Sequence, residues 1–492
     1  MQVYLDTSRI ADYRTFMRIK SLPTYRITGH VAEFSEEYGE RIGLNSKRRY
    51  HAKYEPINGL FDYQTAIVAK AIAKRKYAVF ADCGLGKTLI FLEYARYVRG
   101  VLPDNKSILI ISPLMVIDQT LAECERWYGS ALPIERVRSS DLREWLQVDT
   151  KRIGITNYEA LRSETSRGNL GCLILDESSM LKSHYGKFSQ ECIRLGKGLE
   201  WKLALTGTPA PNDRIEYGNH AVFLDQSPNT NAFLARYFVN RGQTNERWEL
   251  KPHALHPFYR SLSHWCIFLN NPGVYGWRDN SRELPPIRVH VHHVDLTDAQ
   301  TALVSQETGA LFATNFGGIT SRSTLARIAK GSYRGKPVET LKPDFIRRLV
   351  DSFGDKSSIV WCLYNDEQDA LKSMMPRAAN IDGRTPPQER QRLIGEFKTG
   401  RIKTLISKPK ILGFGLNLQI ATRQVFSSLQ DSYESYYQAV KRSNRYGSTE
   451  CLEVHIPVTE LEIPMVETVL RKAGNVQQDT QEQERLFSSH AF

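Results

Sequence analysis

A chain of 492 residues with 41% hydrophobic content is long enough for two or three domains, each with its own core, and is globular rather than disordered. No apolar run reaches the length of a membrane span, and the N-terminus MQVYLDTSRIADYR lacks the apolar stretch of a signal peptide; seven cysteines without a CxxC pair argue against a disulfide framework or a structural zinc site. The net charge of +12 favours a polyanionic partner, since phosphate contacts draw on Lys and Arg, and the expected compartment is the cytoplasm.

Residues 1–55 form a mixed extension, basic towards its end, where KRRYHAK (47–53) interleaves Lys47, Arg48, Arg49 and Lys53 with Tyr50. A solvated linker and a nucleic-acid contact both fit that pattern. Residues 56–225 alternate short apolar strands with amphipathic helices, the signature of a parallel sheet covered on both faces. The strands read YAVFA (77–81), SILIIS (107–112), RIGIT (152–156), CLILD (172–176) and KLALT (202–206). Residues 226–340 differ in character. RYFVNRGQTNERWEL (236–250) reads as a hairpin around Arg241 and Gly242, NNPGVYGWRDN (270–280) as a loop, and 297–335 as helices separated by glycines, all expected to project from the cores. A second strand and helix series over 341–474 contains SIVWCLY (358–364), IKTLIS (402–407) and RQVFSS (423–428). The tail 475–492, rich in Gln, Glu and Ser, is expected to be flexible. The fold class is therefore α/β with two tandem domains, mainly helical insertions between them and a small N-terminal extension.

Two segments carry the chemistry. ADCGLGKT (81–88) follows the first strand as a glycine turn, with Gly84 and Gly86, whose backbone N–H groups can wrap phosphates at a helix N-terminus opened by Lys87 and Thr88. LILDESS (173–179) puts Asp176 and Glu177 where a second strand ends, one carboxylate for Mg²⁺ and one to polarise the attacking water. Strand, turn, GKT helix and later acidic strand end occur in the order an ATP-driven machine requires.

Further motifs follow in a fixed order. FDYQ (61–64) places Gln64 where its carboxamide can read an adenine. ISPLMVIDQT (111–120), GITNYEAL (154–161), LTGTPAPN (205–212), LPPIRVHVHHVDLTDAQ (284–300), GFGLNLQIA (413–421) and YYQAVKRSNRYGS (436–448) come after it. From 55 to 474 this series resembles superfamily 2 helicases, and the LTGTP and QAxxRxxRxG segments resemble its Swi/Snf-like branch. In compactness and wording it looks most like the motors encoded by bacteriophages and prophages.

That resemblance implies two RecA-like domains with ATP and Mg²⁺ between them and nucleic acid across both. Lys87 would hold the β and γ phosphates, Thr88 and Asp176 the Mg²⁺, and Glu177 would be the base. Arg442 and Arg445 would act as arginine fingers from the second domain, with Gln438 near the γ-phosphate. Pro113, Thr156 and Asn157, and Gly413, Gly415 and Asn417, match positions near the nucleic-acid backbone or the domain interface, and Thr206 and Thr208 would couple the two sites. The chain departs from the branch at Ser178 and Ser179, where DEAH is usual, at Ser448, where a glutamine follows the glycine, and at Gln119, where an aromatic is common. The implied function is a DNA-dependent ATPase that translocates on double-stranded or branched DNA and remodels it in phage or bacterial replication, recombination or repair, the chain being monomeric alone. The alternatives are a strand-separating DNA or RNA helicase, or the motor subunit of a restriction, defence or CRISPR-type complex whose partner cuts DNA.

Two features stand outside this scheme. On a strand, His290 and His292 of VHVHHV share one face while His293 takes the other, and with no cysteine or acidic pair at hand the expectation is an edge strand with exposed imidazoles rather than a metal site. Trp248, Tyr275 and Trp277 either stack against bases at a DNA junction or pack the 226–340 region onto its own domain.

Overall fold

The computed structural model of the chain describes residues 1–22, 25–34, 38–39, 42–44, 53–162, 165–182, 186–210, 213–242, 248–277, 285–308, 319–412, 416–429, 433–445 and 448–488. They form two separately packed units, one of residues 1–281 with 479–492 and the other of residues 282–478.

The first unit is built on seven strands: β1 (Lys76–Ala81), β2 (Ser107–Ile111), β3 (Ile134–Arg136), β4 (Ile153–Thr156), β5 (Leu170–Asp176), β6 (Trp201–Thr206) and β7 (Cys266–Leu269). All run parallel, in the spatial order β7-β1-β6-β5-β2-β4-β3. The period of two along each strand divides its side chains between two cores. Ala78, Phe80, Leu109, Ile111, Leu173 and Leu175 enter one, while Tyr77, Val79, Ile108, Ile110, Cys172 and Ile174 enter the other. A sheet buried on both faces explains why these strands read as continuous apolar runs. Two of the helices around it, α1 (Asp62–Lys74) and α2 (Lys87–Val101), flank β1 in sequence, and α3 (Tyr217–Phe223) follows β6.

Residues 226–281 contribute more to this unit than a projecting insertion. Strand β7 closes one edge of the sheet against β1, and the expected hairpin is present, Phe238–Asn240 pairing antiparallel with Trp248–Leu250. Trp248 packs on one core, and Trp277 on the other, beside Tyr275 and Tyr63. The N-terminal residues form an antiparallel three-stranded sheet and a helix, Ile10–Lys20, around Leu5, Ile19, Leu22, Ala32 and Phe34. Of the basic KRRYHAK segment, only Lys53 falls among the described residues.

The second unit holds β8 (Ile287–His293), α4 (Lys342–Asp351), β9 (Ser357–Trp361), β10 (Ala379–Ile381), β11 (Thr404–Ser407), β12 (Ala421–Phe426), α5 (Tyr433–Val440) and β13 (Leu452–Val458). Its six strands are also parallel, in the order β8-β13-β12-β9-β11-β10. Ile359, Trp361 and Leu405 point into one core, Val360 and Ile406 into the other. The chain thus has the two tandem RecA-like α/β units expected of it.

The tail departs from expectation. The segment from Asn475 is helical, continuing α6 (Ile463–Ser488). Its last turns are fixed within the first unit: the carboxylate of Glu484 accepts from the backbone N–H groups of Asn270 and Asn271 at 2.5 and 3.0 Å, and Gln483 donates to the Tyr259 hydroxyl at 3.2 Å. Polar composition marked this segment as unable to build a core, whereas the stretch just after β7 supplies partners for its polar groups. No helix among the described residues is long and apolar enough to cross a membrane.

Candidate active site

The side chains expected to carry the chemistry of the first unit lie at the carboxyl ends of its strands, the edge at which parallel α/β sheets bind ligands. At the end of β1 the chain turns through Gly84 and Gly86, both left-handed with φ of 92° and 69°, and enters α2 at Lys87. Only glycine takes this backbone without strain. Gly86 is fixed a second time by space, because a Cβ there would collide with the amide nitrogen of Gln64. Gln64 is buried in the first turn of α1, its carbonyl oxygen accepting from the backbone N–H of Phe61 at 3.0 Å. The neighbouring Tyr63 donates its hydroxyl to the carbonyl of Leu85 at 3.2 Å. The segment FDYQ therefore braces the glycine loop from behind. The ammonium of Lys87 crosses the mouth of the loop, donating to the carbonyls of Ala81 at 2.8 Å and Asp82 at 3.2 Å, and the half-buried Thr88 follows it.

Asp176 ends β5, two strands from β1, and Thr206 ends β6 between them. Asp176 is buried and accepts from the Ser112 hydroxyl at 2.8 Å. Burial, and then the adjoining Glu177 charge, push its carboxyl up to about 6, against the opposing pull of Ser112 and Lys87. Such an acid gains from a nearby hard cation, which fits the donor set Asp176 and Thr88 to Mg²⁺. Glu177 adopts a left-handed backbone, φ 53° and ψ 52°, a strain of roughly 1–3 kcal/mol for a residue with a Cβ. Its carboxylate accepts from Thr206 Oγ1 at 2.7 Å, and Thr206 Oγ1 in turn accepts from the Thr208 backbone N–H at 3.1 Å. Gly207, between the two threonines, sits against Lys87 Nζ, 3.7 Å from the position a Cβ would take. One short segment therefore touches both Lys87 and Glu177.

The two serines that replace the usual Ala-His have distinct partners. Ser179 Oγ lies 3.4 Å from the Glu177 carboxylate, and Ser178 Oγ is 3.0 Å from Nε2 of His220 on α3. His220 is fully buried, edge-on to Phe80 at 5.2 Å, and burial pushes its pKa down to about 4. Tyr158 completes the support by donating to the Asp176 carbonyl at 2.7 Å.

The other expected residues fall as follows. Pro113 and Thr156 are buried just after β2 and at the end of β4, and the Thr156 hydroxyl donates to the carbonyl of Val137 at 2.8 Å. This makes Thr156 a brace for its loop rather than an outward donor. Asn157 is partly exposed, with its amide on Glu159 at 2.7 Å, and the exposed Leu114 and Met115 follow Pro113. In the second unit Asn417 is exposed and its side-chain oxygen accepts from the backbone of Gln419 at 3.1 Å, whereas Gly413 and Gly415 lie outside the described residues. Gln438, on α5, is 3.4 Å from Glu434. Arg442 is buried, and Arg445 donates to the Leu416 carbonyl at 3.2 Å. Ser448 accepts from the Arg445 backbone N–H at 3.1 Å and donates to Ser443 at 2.9 Å, tying the arginine to its turn. Sequence reasoning assigned no role to Ser112, Tyr63, Tyr158 or His220. The first three stand inside motifs already singled out, while His220 carries no signal in the sequence.

Comparison with known proteins gives this geometry its context. A family model described as the SNF2-related domain matches residues 73–336, and one described as the helicase conserved C-terminal domain matches residues 341–447. The chain is 24% identical over 424 residues to "Putative protein p41" of Acyrthosiphon pisum secondary endosymbiont phage 1, covering 77% of this chain and 87% of that protein. It is also 24% identical to the mouse "DNA annealing helicase and endonuclease ZRANB3", covering 80% of this chain but only 38% of that protein. To the "Putative ATP-dependent helicase/translocase YwqA" of Bacillus subtilis it is 22% identical, covering 77% of this chain and 43% of that protein. The solved structure "Sulfolobus solfataricus SWI2/SNF2 ATPase core in complex with dsDNA" aligns over 89% of this chain and 95% of its own at 18% identity, with a TM-score of 0.42. With a family match over more than half its length and the helicase C-terminal match directly after it, the chain belongs to the SNF2-related family of superfamily 2 helicases and is an ATP hydrolase.

Proposed function

We propose that the chain is a DNA-dependent ATPase motor that moves along duplex or branched DNA, and that it remodels such DNA in phage or bacterial replication, recombination or repair. The observation that carries this is the line Lys87, Gly207, Thr206, Glu177. It joins the phosphate-binding lysine, the base and a segment leading out of the site within one unit. In the proposed cycle Lys87 leaves the carbonyls of Ala81 and Asp82 to hold the β and γ phosphates, while the N–H groups around Gly84 and Gly86 wrap them. Gln64 reads the adenine. Thr88 and Asp176 hold Mg²⁺, which when bound neutralises charge on the transferred phosphoryl group. Glu177, steered by Thr206, orients and polarises the attacking water, and Arg445 with Arg442 and Gln438 stabilises the transition state from the second unit. Thr206 and Thr208 pass the state of the base to the loops after β2 and β4, where Pro113 and Asn157, on a loop that Thr156 braces, position the phosphate backbone with Asn417 of the second unit without reading bases. The net charge of +12 and the DNA-directed name of the mouse relative support a DNA track, and the phage relative supports the setting.

The test is steady-state ATP hydrolysis with duplex DNA, a four-way junction, single-stranded DNA and RNA, with Lys87→Ala as background. Strongest stimulation by duplex or junction, falling steeply with salt, is expected. Preference for single strands or RNA would replace the reading with a strand-separating helicase, and no stimulation by any of them would replace it with a motor that needs a partner subunit.

A further inference from the structure

The second unit carries a group of side chains outside the proposed cycle. Strand β8 lies at the edge of its sheet and pairs in parallel with β13, placing His290 directly opposite His455. Because alternate residues share a face, His292 on β8 and Glu453 on β13 join them, while His293 points the other way, 3.6 Å from Asp295. The imidazole of His290 stacks on that of His455 with centroids 4.8 Å apart, and His292 Nε2 is 2.9 Å from His455 Nδ1. Phe353 lies against His455 at 5.0 Å, and Phe345, from α4, against His292 at 5.7 Å, so one side of the group is apolar.

The hydrogen bonding here is incomplete. His455 is only 6% exposed, yet its Nε2 is buried without a hydrogen-bond partner, and so is Nε2 of His290. Each neutral imidazole has one donor and one acceptor nitrogen, and burying either unpaired costs on the order of 1–3 kcal/mol. A Glu453 oxygen lies 3.7 Å from His455 Nε2, and Arg423 approaches the same carboxylate at 3.3 Å. Ligand atoms of His290, Glu453 and His455 all lie within 4.8 Å of one another. Tetrahedral ligands held at about 2.0–2.2 Å are separated by roughly 3.4 Å, so small side-chain rotations close the set. The second ligating strand, β13, supplies what VHVHHV lacked by itself.

We propose that His290, Glu453 and His455 form a binding site for a borderline divalent transition metal of the zinc class, with His292 as a supporting partner of His455. Nitrogen and carboxylate donors select such an ion over Mg²⁺ or Ca²⁺. The metal is a clip rather than a catalyst. It fastens the edge strand β8, which among the described strands pairs with β13 alone, to the body of the second unit.

The experiment uses the full chain, stripped with a chelator and free of nucleotide and Mg²⁺, titrated with Zn²⁺ against a chromophoric competitor and separately with Co²⁺ for its visible spectrum. One Zn²⁺ per chain at micromolar affinity or tighter is expected, with a Co²⁺ spectrum typical of nitrogen and oxygen ligation. His290→Ala and Glu453→Gln, both at partly exposed positions, should weaken Zn²⁺ binding about tenfold or more, and His293→Ala, on the opposite face, should leave it unchanged. Zn²⁺ should also slow amide exchange over 287–293 in the parent but not in His290→Ala. No Zn²⁺ binding by the parent, equal binding by His290→Ala and Glu453→Gln, or unaltered exchange over β8 would each overturn the proposal. None of these readouts depends on ATP hydrolysis.

Discussion

Glu177 shows how much of the candidate site is built by single residues. Its left-handed backbone is a strained choice for a glutamate, and the hydrogen bond from Thr206 is what aims the carboxylate. If Glu177 is the base, Glu177→Gln should keep nucleotide binding and lower kcat by roughly 100- to 10,000-fold, the range of lost general-base catalysis. Thr206→Val, which keeps the shape but not the hydroxyl, should lower kcat by a smaller factor at unchanged nucleotide affinity. Parental turnover in Glu177→Gln would remove the assignment. A second residue-scale prediction concerns His220. Its folded pKa, about 4, lies below the ordinary 6.5 because burial disfavours the imidazolium. The unfolded chain therefore binds the extra proton first, so stability is fully present above pH 6.5 and declines as pH falls from there towards 4, by up to about 3 kcal/mol. The urea midpoint of the parent should fall between pH 7 and pH 5 by more than that of His220→Gln. Equal falls would show that His220 is not the titrating group.

At the scale of elements, legibility followed burial and length. The five strands expected in the first unit are all present because a two-sided buried strand must be a continuous apolar run, as LGCLILD and KLALT are. Strands β3 and β10, three residues each, and β7, four residues amid aromatic and polar neighbours, were too short to stand out from loops. The GKT turn and the DES segment stand out in the sequence because the phosphate and metal chemistry proposed for them would restrict which residues stand there. The supports could not. Ser112 reaches Asp176 across 64 positions of sequence and His220 reaches Ser178 across 42, distances only the sheet order closes. The same holds for the histidines of β8, which looked ligand-poor until β13, more than 160 residues later, brought Glu453 and His455 to the same face. Helix α6 makes the converse point. Its polar tail lacks a local reason to order, and its partners, the N–H groups after β7, belong to a segment more than 200 residues earlier.

At the scale of the whole molecule, the residues assigned to hydrolysis are divided between two units that each own a core. Lys87, Asp176 and Glu177 belong to the first, Gln438, Arg442 and Arg445 to the second. Such a division has a mechanical consequence if the proposed roles hold. Nucleotide binding needs the first unit only, whereas the transition state needs positive charge from the second, so turnover reports on domain approach while affinity does not. Arg445 is the sharpest probe, since Leu416, Gln419 and Ser448 hold its main chain and guanidinium in place and Arg445→Ala need not disturb the turn. We expect Arg445→Ala to bind a fluorescent ATP analogue within about threefold of the parent while DNA-stimulated kcat falls on the order of 1,000-fold, the size of effect an arginine finger has elsewhere. Loss of binding and turnover together would place Arg445 in ground-state nucleotide recognition. Parental kcat would remove Arg445 from the chemistry and leave Arg442 and Gln438 as the residues through which the second unit acts on the transition state.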